Sequence, residues 1–241
     1  MKKHIERTTA LFTMIMMISF ILSGCVIADN IPGDGNVVSE DRNVSGFDEI
    51  EVGGAYHVYL TLGNKETLKI EAEENLMEYI ITEVRGGTLK IYNKKGLEPT
   101  KDMDVFISLT DLKALDISGA CDVVSQNTLE LDNLDINASG ASDIELVLRV
   151  PALTLDLSGA SDIDLNGEVQ DFDVAVSGAA ELEAYDLLVQ NCRLDVSGAG
   201  SAKVHVKTKL DVTVSGAGSA RYKGDPDIHM SVSGAGSLSK Y

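Results

Sequence analysis

The sequence predicts an all-β chain wound into a parallel β-helix, a single-stranded solenoid with an irregular β-rich N-terminal cap. Three observations carry that reading. The tripeptide Ser-Gly-Ala recurs seven times, starting at Ser118, Ser139, Ser158, Ser177, Ser197, Ser215 and Ser233. The steps between copies are 21, 19, 19, 20, 18 and 18 residues, and so steady a period marks stacked structural units. Within each copy, apolar and polar residues alternate with period two, which places one face of a strand inside and the other outside.

In chain order, residues 1–24 read as a lipoprotein signal peptide. Lys2, Lys3 and Arg7 form a basic start, and Ala10 to Leu22 is an apolar stretch too short to span a bilayer comfortably. Leu22-Ser23-Gly24-Cys25 resembles the bacterial lipobox, whose Cys is lipidated and becomes the mature N-terminus. That resemblance makes Cys25 the lipidation site and the membrane a partner, because several acyl chains on one residue anchor firmly. The residues after Cys25 are not an aspartate signal for retention at an inner membrane. The expected location is therefore the cell envelope, at the outer membrane or cell surface. Residues 25–43 are polar, carry Pro32, Gly33 and Gly35, and read as a flexible tether.

Residues 44–110 are strand-rich but less regular. Phe47 to Val52 alternates, Gly53-Gly54-Ala55 mimics the later Ser-Gly-Ala, and Tyr56 to Leu62 alternates again. Leu68 to Ala72 and Thr88 to Tyr92 are further strands, and Glu74 to Ile80 is a candidate short helix. This part reads as the first coil or two plus hairpins that hide the open edge of the array.

Residues 111–241 hold the seven coils. Apolar triplets precede the serines, as in Leu153, Leu155, Leu157 and in Leu210, Val212, Val214. A second alternating run follows, as in Ile144-Glu145-Leu146 and Ile163-Asp164-Leu165, and then a turn such as Asn166-Gly167-Glu168. No apolar set recurs at helical spacing, and glycines and β-branched residues sit mid-pattern. At about 4.8 Å per coil the seven copies build a rod of roughly 30–35 Å. Gly119, Gly140, Gly159, Gly178, Gly198, Gly216 and Gly234 are structural corners, in a conformation costly for other residues. The Ala after each is expected to point into the corner, and the serines to bond one another as a ladder. Seven equivalent serines with no His placed to serve them argue for geometry, not nucleophilic catalysis.

At this point the order of motifs becomes specific. A lipobox, the opening Phe47-Asp48-Glu49-Ile50-Glu51-Val52-Gly53-Gly54-Ala55-Tyr56-His57-Val58-Tyr59-Leu60, the segment Gly86-Gly87-Thr88-Leu89-Lys90-Ile91-Tyr92 and the run of Ser-Gly-Ala coils resemble the head GIN domain family of auto-transporter adhesins. The resemblance covers about residues 44–241. A literal Gly-Ile-Asn is absent, with Gly96-Leu97 in roughly the corresponding region. The resemblance implies a right-handed β-helix on a secreted or surface lipoprotein and supplies no catalytic residues.

Charge narrows the function classes. The chain has 38 acidic and 20 basic residues, and without residues 1–24 it keeps 37 acidic and 17 basic, a net of −20. That argues against nucleic acid as a partner and against docking on anionic lipid. Four residues past the corner serines stand Asp122, Asp143, Asp162 and Glu181, expected as a carboxylate row about 5 Å apart. Water and salt screen such a row, or a cation bridges it. Calcium is the candidate ion, with Asn137, Asp156 or a corner Ser completing its oxygen shell. No other cofactor is expected.

Cys192 falls in a core slot and Cys121 in a corner slot three to four coils away, beyond disulfide reach. The scattered His57, His205 and His229, the short coils and the absence of H-E-x-x-H, G-x-S-x-G or P-loop motifs argue against an enzyme. The expected function is a non-catalytic, adhesin-like surface-binding or scaffolding module with an extracellular glycan or protein ligand. The alternative is a polysaccharide-binding or weakly polysaccharide-cleaving β-helix. The open edge near Gly236 to Tyr241 adds homo-oligomerisation as an expectation.

Overall fold

The alternation of the coils becomes two ladders of parallel strands that share one core. The computed structural model describes residues 30–241. The first described strands are β1 (Ile31–Pro32), β2 (Val37–Arg42), β3 (Glu49–Gly54), β4 (His57–Leu62) and β5 (Thr67–Glu73). A single 3-10 turn at Met77–Tyr79 follows where a short helix was a candidate. Then come β6 (Ile80–Arg85), β7 (Thr88–Asn93), β8 (Leu97–Glu98) and β9 (Asp104–Leu109). The coils are β10 (Ala114–Gly119), β11 (Asp122–Ser125), β12 (Leu129–Glu130), β13 (Asn133–Gly140), β14 (Asp143–Gly159), β15 (Asp162–Val176), β16 (Glu181–Val196), β17 (Ser201–Val214), β18 (Ser219–Lys223), β19 (Asp227–Val232) and β20 (Ser237–Lys240).

Stacked parallel strands make this an all-β solenoid of about 7 turns. Before the corner, β7, β3, β10, β13 and the last halves of β14 to β17 pair in parallel, ending on β19. After the corner, β9, β4, β11 and the first halves of β14 to β17 do the same, ending on β18 and β20. The return runs that looked like turns are instead the middles of strands of 14 to 17 residues. Gly167, at φ +118°, bends one of them.

In-register stacking builds the core. Leu115, Ile136, Leu155, Val174, Leu194 and Val212 form one interior row, none more than 3% exposed. The N-terminal edge is closed by antiparallel strands: β6 lies on β7, β5 on β9, and β2 on β5. An edge strand paired this way no longer offers its free N–H and C=O groups.

The tether read over residues 25–43 is therefore corrected where it is described. β1 pairs with β8 and β2 with β5, so residues 31–42 belong to the cap. The cause is the buried Glu73, whose carboxylate accepts hydrogen bonds from Gly35 N (2.6 Å), Thr100 N (2.8 Å) and Thr100 Oγ1 (2.6 Å).

The corners work through backbone geometry. Each corner Gly has positive φ, from +82° to +104°, which turns its carbonyl along the rod axis. The N–H of the next coil's Ala donates to it at 2.8 Å, as in Ala141 to Gly119 and Ala160 to Gly140. Two expectations about the corner need correction. Ala120, Ala141, Ala160, Ala179 and Ala199 face solvent, and it is the following residue that points inward: Cys121, Ser142, Ser161, Ala180, Gly200. The corner serines do not bond one another. Ser139 Oγ donates to Ile117 O at 3.4 Å and Ser177 Oγ to Leu157 O at 3.0 Å, one coil back each time. Both Cys121 and Cys192 are buried and free.

Candidate functional site

The residues four past the corner serines open the second strand of each coil and face solvent. The register Asp122–Asp143–Asp162–Glu181 places all four in a single row, one per coil. Alternation puts the residues two further on in a second exposed row: Glu145, Asp164 and Glu183. That second row escaped the sequence reading, although the acidic pairs two apart were its signal. The rows border a shallow groove of about 350 Å³.

A histidine and a lysine close the two ends of the strip. His57 continues the first row into the cap, with Nε2 3.1 Å from Asp122 Oδ2 and Nδ1 3.4 Å from Asp104 Oδ1. Lys203 continues the second row, with Nζ 2.6 Å from Glu183 and 3.0 Å from Glu181. Those two carboxylates hold the Lys203 ammonium charged and push its pKa up to about 12. Exposed pairs of this kind are screened by solvent and contribute little to stability.

Asn137, Asp156 and the corner serines, read as further oxygens for a cation, are not part of this strip. They line a different groove of about 370 Å³ with Glu51 and Asp116, on the strand before the corner. Asn137 is used there, donating from Nδ2 to Asp116 Oδ1 at 2.7 Å. Among the described residues no group of three or more His, Cys, Asp or Glu is arranged to hold a metal ion.

Two further grooves, of about 350 and 240 Å³, lie on the outer strands. All four are open troughs between side-chain rows. Ligand clefts that bury most of a small molecule are concave, so these surfaces suit macromolecules better. At the last coil the interior row runs out into solvent: Ile228, Met230 and Val232 are 37%, 54% and 40% exposed.

A family model described as putative auto-transporter adhesin, head GIN domain, matches residues 46–226. The chain belongs to this family. Among solved structures similar to this head GIN domain is a putative adhesin from Bacteroides fragilis, with 27% identity and a TM-score of 0.84, covering 88% of this chain and 100% of that one. A putative lipid binding protein from Parabacteroides distasonis is 26% identical with a TM-score of 0.68, covering 88% and 99%. A putative adhesin from the same organism is 23% identical with a TM-score of 0.72, covering 88% and 100%, and shares the fold. A comparison with curated proteins found no match. A head GIN domain of adhesin type goes with a cell-surface setting. Among the described residues no helix is long and apolar enough to cross a membrane. Cys25 and the signal peptide lie outside the described residues.

Proposed function

We propose that this chain is a non-catalytic binding module of the cell envelope, anchored through lipid on Cys25 and displayed at the outer membrane or cell surface. The observation that carries the reading is the outer surface of the solenoid. Equivalent side chains stack into long exposed rows with shallow troughs between them. Such a surface presents repeated contacts to an extended glycan or protein and offers no enclosed volume for chemistry. The rod interior is filled by its own apolar rows, so a ligand has to lie outside. Family membership supports an adhesin-like role but does not by itself set the ligand.

The test is an array of glycans and matrix proteins probed with the purified chain from residue 26, with calcium and with chelator. Saturable binding to one class supports the module. Loss of that binding in chelator adds a bridging cation at the Asp122–Asp143–Asp162–Glu181 row. Turnover of any polysaccharide on the array, seen as new reducing ends, overturns the non-catalytic reading.

A further inference from the structure

The rod is polarised in charge. Residues 114–192 hold sixteen acidic side chains and a single base, Arg149. Residues 193–241 hold seven bases and four acids. The reversal occurs within one exposed row, which reads Glu145, Asp164, Glu183, then Lys203, Arg221. Four of the seven bases are neutralised locally: Arg193 by Asp195, Lys203 by Glu181 and Glu183, Lys209 by Asp211, and Lys240 by Asp225. Among the described residues the other three, Lys207, Arg221 and Lys223, have no carboxylate partner.

Lys223 is held by aromatic rings instead. Its Nζ lies 4.2 Å from the centre of the Tyr185 ring and 4.9 Å from that of Tyr241. The two rings meet edge to face, with centres 5.1 Å apart. Tyr185 reaches this place through a bulge. The pairing of β16 with β17 jumps from Ala184–Val204 to Leu188–His205, leaving Tyr185 to Leu187 unmatched on β17. The Tyr185 hydroxyl is shut off from solvent and has no hydrogen-bond partner. A buried donor left unpaired is an unfavourable feature that a ligand acceptor removes. Tyr241 is 79% exposed, and its N–H donates to Tyr222 O. Its ring is the neighbour freest to move aside and open that hydroxyl.

We propose that Tyr185, Arg221, Lys223 and Tyr241 form a binding site for a short acidic saccharide. Lys223 and Arg221 pair with the sugar's carboxylate or sulfate, the tyrosine rings pack on its apolar ring face, and the Tyr185 hydroxyl donates to a ligand oxygen. The patch spans four coils, about 14 Å from the first to the last, and the carboxylate rows begin within one Debye length of it. A long polyanion lying along the rod is therefore repelled, as is an anionic membrane pressed on the same face. A short oligosaccharide, or one crossing the rod, meets only the basic end.

The inference rests on the surface-binding reading and locates it. Calorimetric titration with tetragalacturonate, with maltotetraose as the neutral control, tests it on the chain from residue 26. The expected result is binding of the acidic sugar alone, weakened at least about tenfold by Lys223→Ala and several-fold by Tyr185→Phe, and unchanged by Lys101→Ala in the cap. Unchanged unfolding temperatures separate loss of binding from loss of fold. Equal affinity for the neutral sugar overturns the site, as does full binding by Lys223→Ala or binding of phosphatidylglycerol vesicles in place of the tetrasaccharide. An array ligand that Lys223→Ala still binds refutes this site and leaves the module standing, whereas a blank array removes the broader reading.

Discussion

Replacing Gly140 by Ala tests whether the corners hold the solenoid together through backbone contact. A Cβ at Gly140 falls well inside 3.0 Å of the Gly119 carbonyl oxygen and 3.0 Å from Gly119 N. Both neighbours are backbone, fixed by the coil below, so neither can swing away. Gly140 also sits at φ +104°, where an L side chain is strained by about 1–3 kcal/mol. Lifting the coil to relieve the clash lengthens the Ala141 N–H to Gly119 O bond, worth about 0.5–1.5 kcal/mol. Together these give about 1.5–4.5 kcal/mol, or on the order of 10 °C of unfolding temperature for a domain this size. Gly35→Ala is the control for strain alone, because its φ is +81° and no atom lies within 4 Å of the added Cβ. Gly198→Ala should fall between them, since its clash with the Gly178 oxygen eases to 2.7 Å at φ +86°. Thermal unfolding followed by far-ultraviolet circular dichroism ranks the three. Equal losses at Gly140 and Gly35 would refute the contact argument and leave conformational strain as the whole cost.

Three further outcomes are expected. The bonds from Gly35 and Thr100 hold the Glu73 carboxyl below its ordinary range, so its stabilisation is present above the unfolded-state pKa and is lost as pH falls through the folded one. Protection factors over residues 31–42, corrected for the intrinsic pH dependence of exchange, should therefore fall in acid below about pH 4 and, at neutral pH, in Glu73→Gln; protection identical in all three conditions would contradict the clasp. Phe172→Ala removes a 2% exposed ring from the interior and should cost about 3–5 kcal/mol in urea unfolding, while a loss under 1 kcal/mol would mean a loosely packed core. If a second copy covers Ile228, Met230 and Val232, light scattering should show a mass that rises with concentration and falls back in Met230→Lys; a constant mass rules that pairing out.

The solenoid was legible because its cause is periodic. A strand that must present Leu153, Leu155 and Leu157 inward prints alternation on the sequence, and a corner that admits only Gly prints the period. The cap was less so. β2 is mostly exposed, with Val37 and Val38 adjacent and not alternating, and its place depends on Glu73, some thirty residues away. The corner Ala is small without being buried, and the inward position is the next one along, so smallness alone does not mark the interior slot. The Asp122 to Glu181 row followed from the repeat. The Tyr185 cluster did not, because a bulge breaks the alignment on which repeat reading depends. Its partners Lys223 and Tyr241 are neighbours only through the pitch of the coils.

The inward corner slot runs Cys121, Ser142, Ser161, Ala180, Gly200, Gly218, losing volume as the chain proceeds. Ser142 and Ser161 still fit and accept weak bonds from the N–H groups of Cys121 and Ser142, at 3.4 and 3.3 Å. At Gly200 a methyl would strike Val176 Cγ1 and Ala180 O at 2.8 Å, and at Gly218 it would strike Val196 Cγ1 at 2.7 Å. The coils are thus near copies that are not interchangeable. Duplicating the segment around Gly200 keeps a glycine in the slot, whereas moving the Cys121 segment into that place puts a side chain where only a glycine fits. A gene that lengthens this rod by internal duplication is steered toward its glycine end, and recombination between distant coils is filtered by a contact a single methyl group wide.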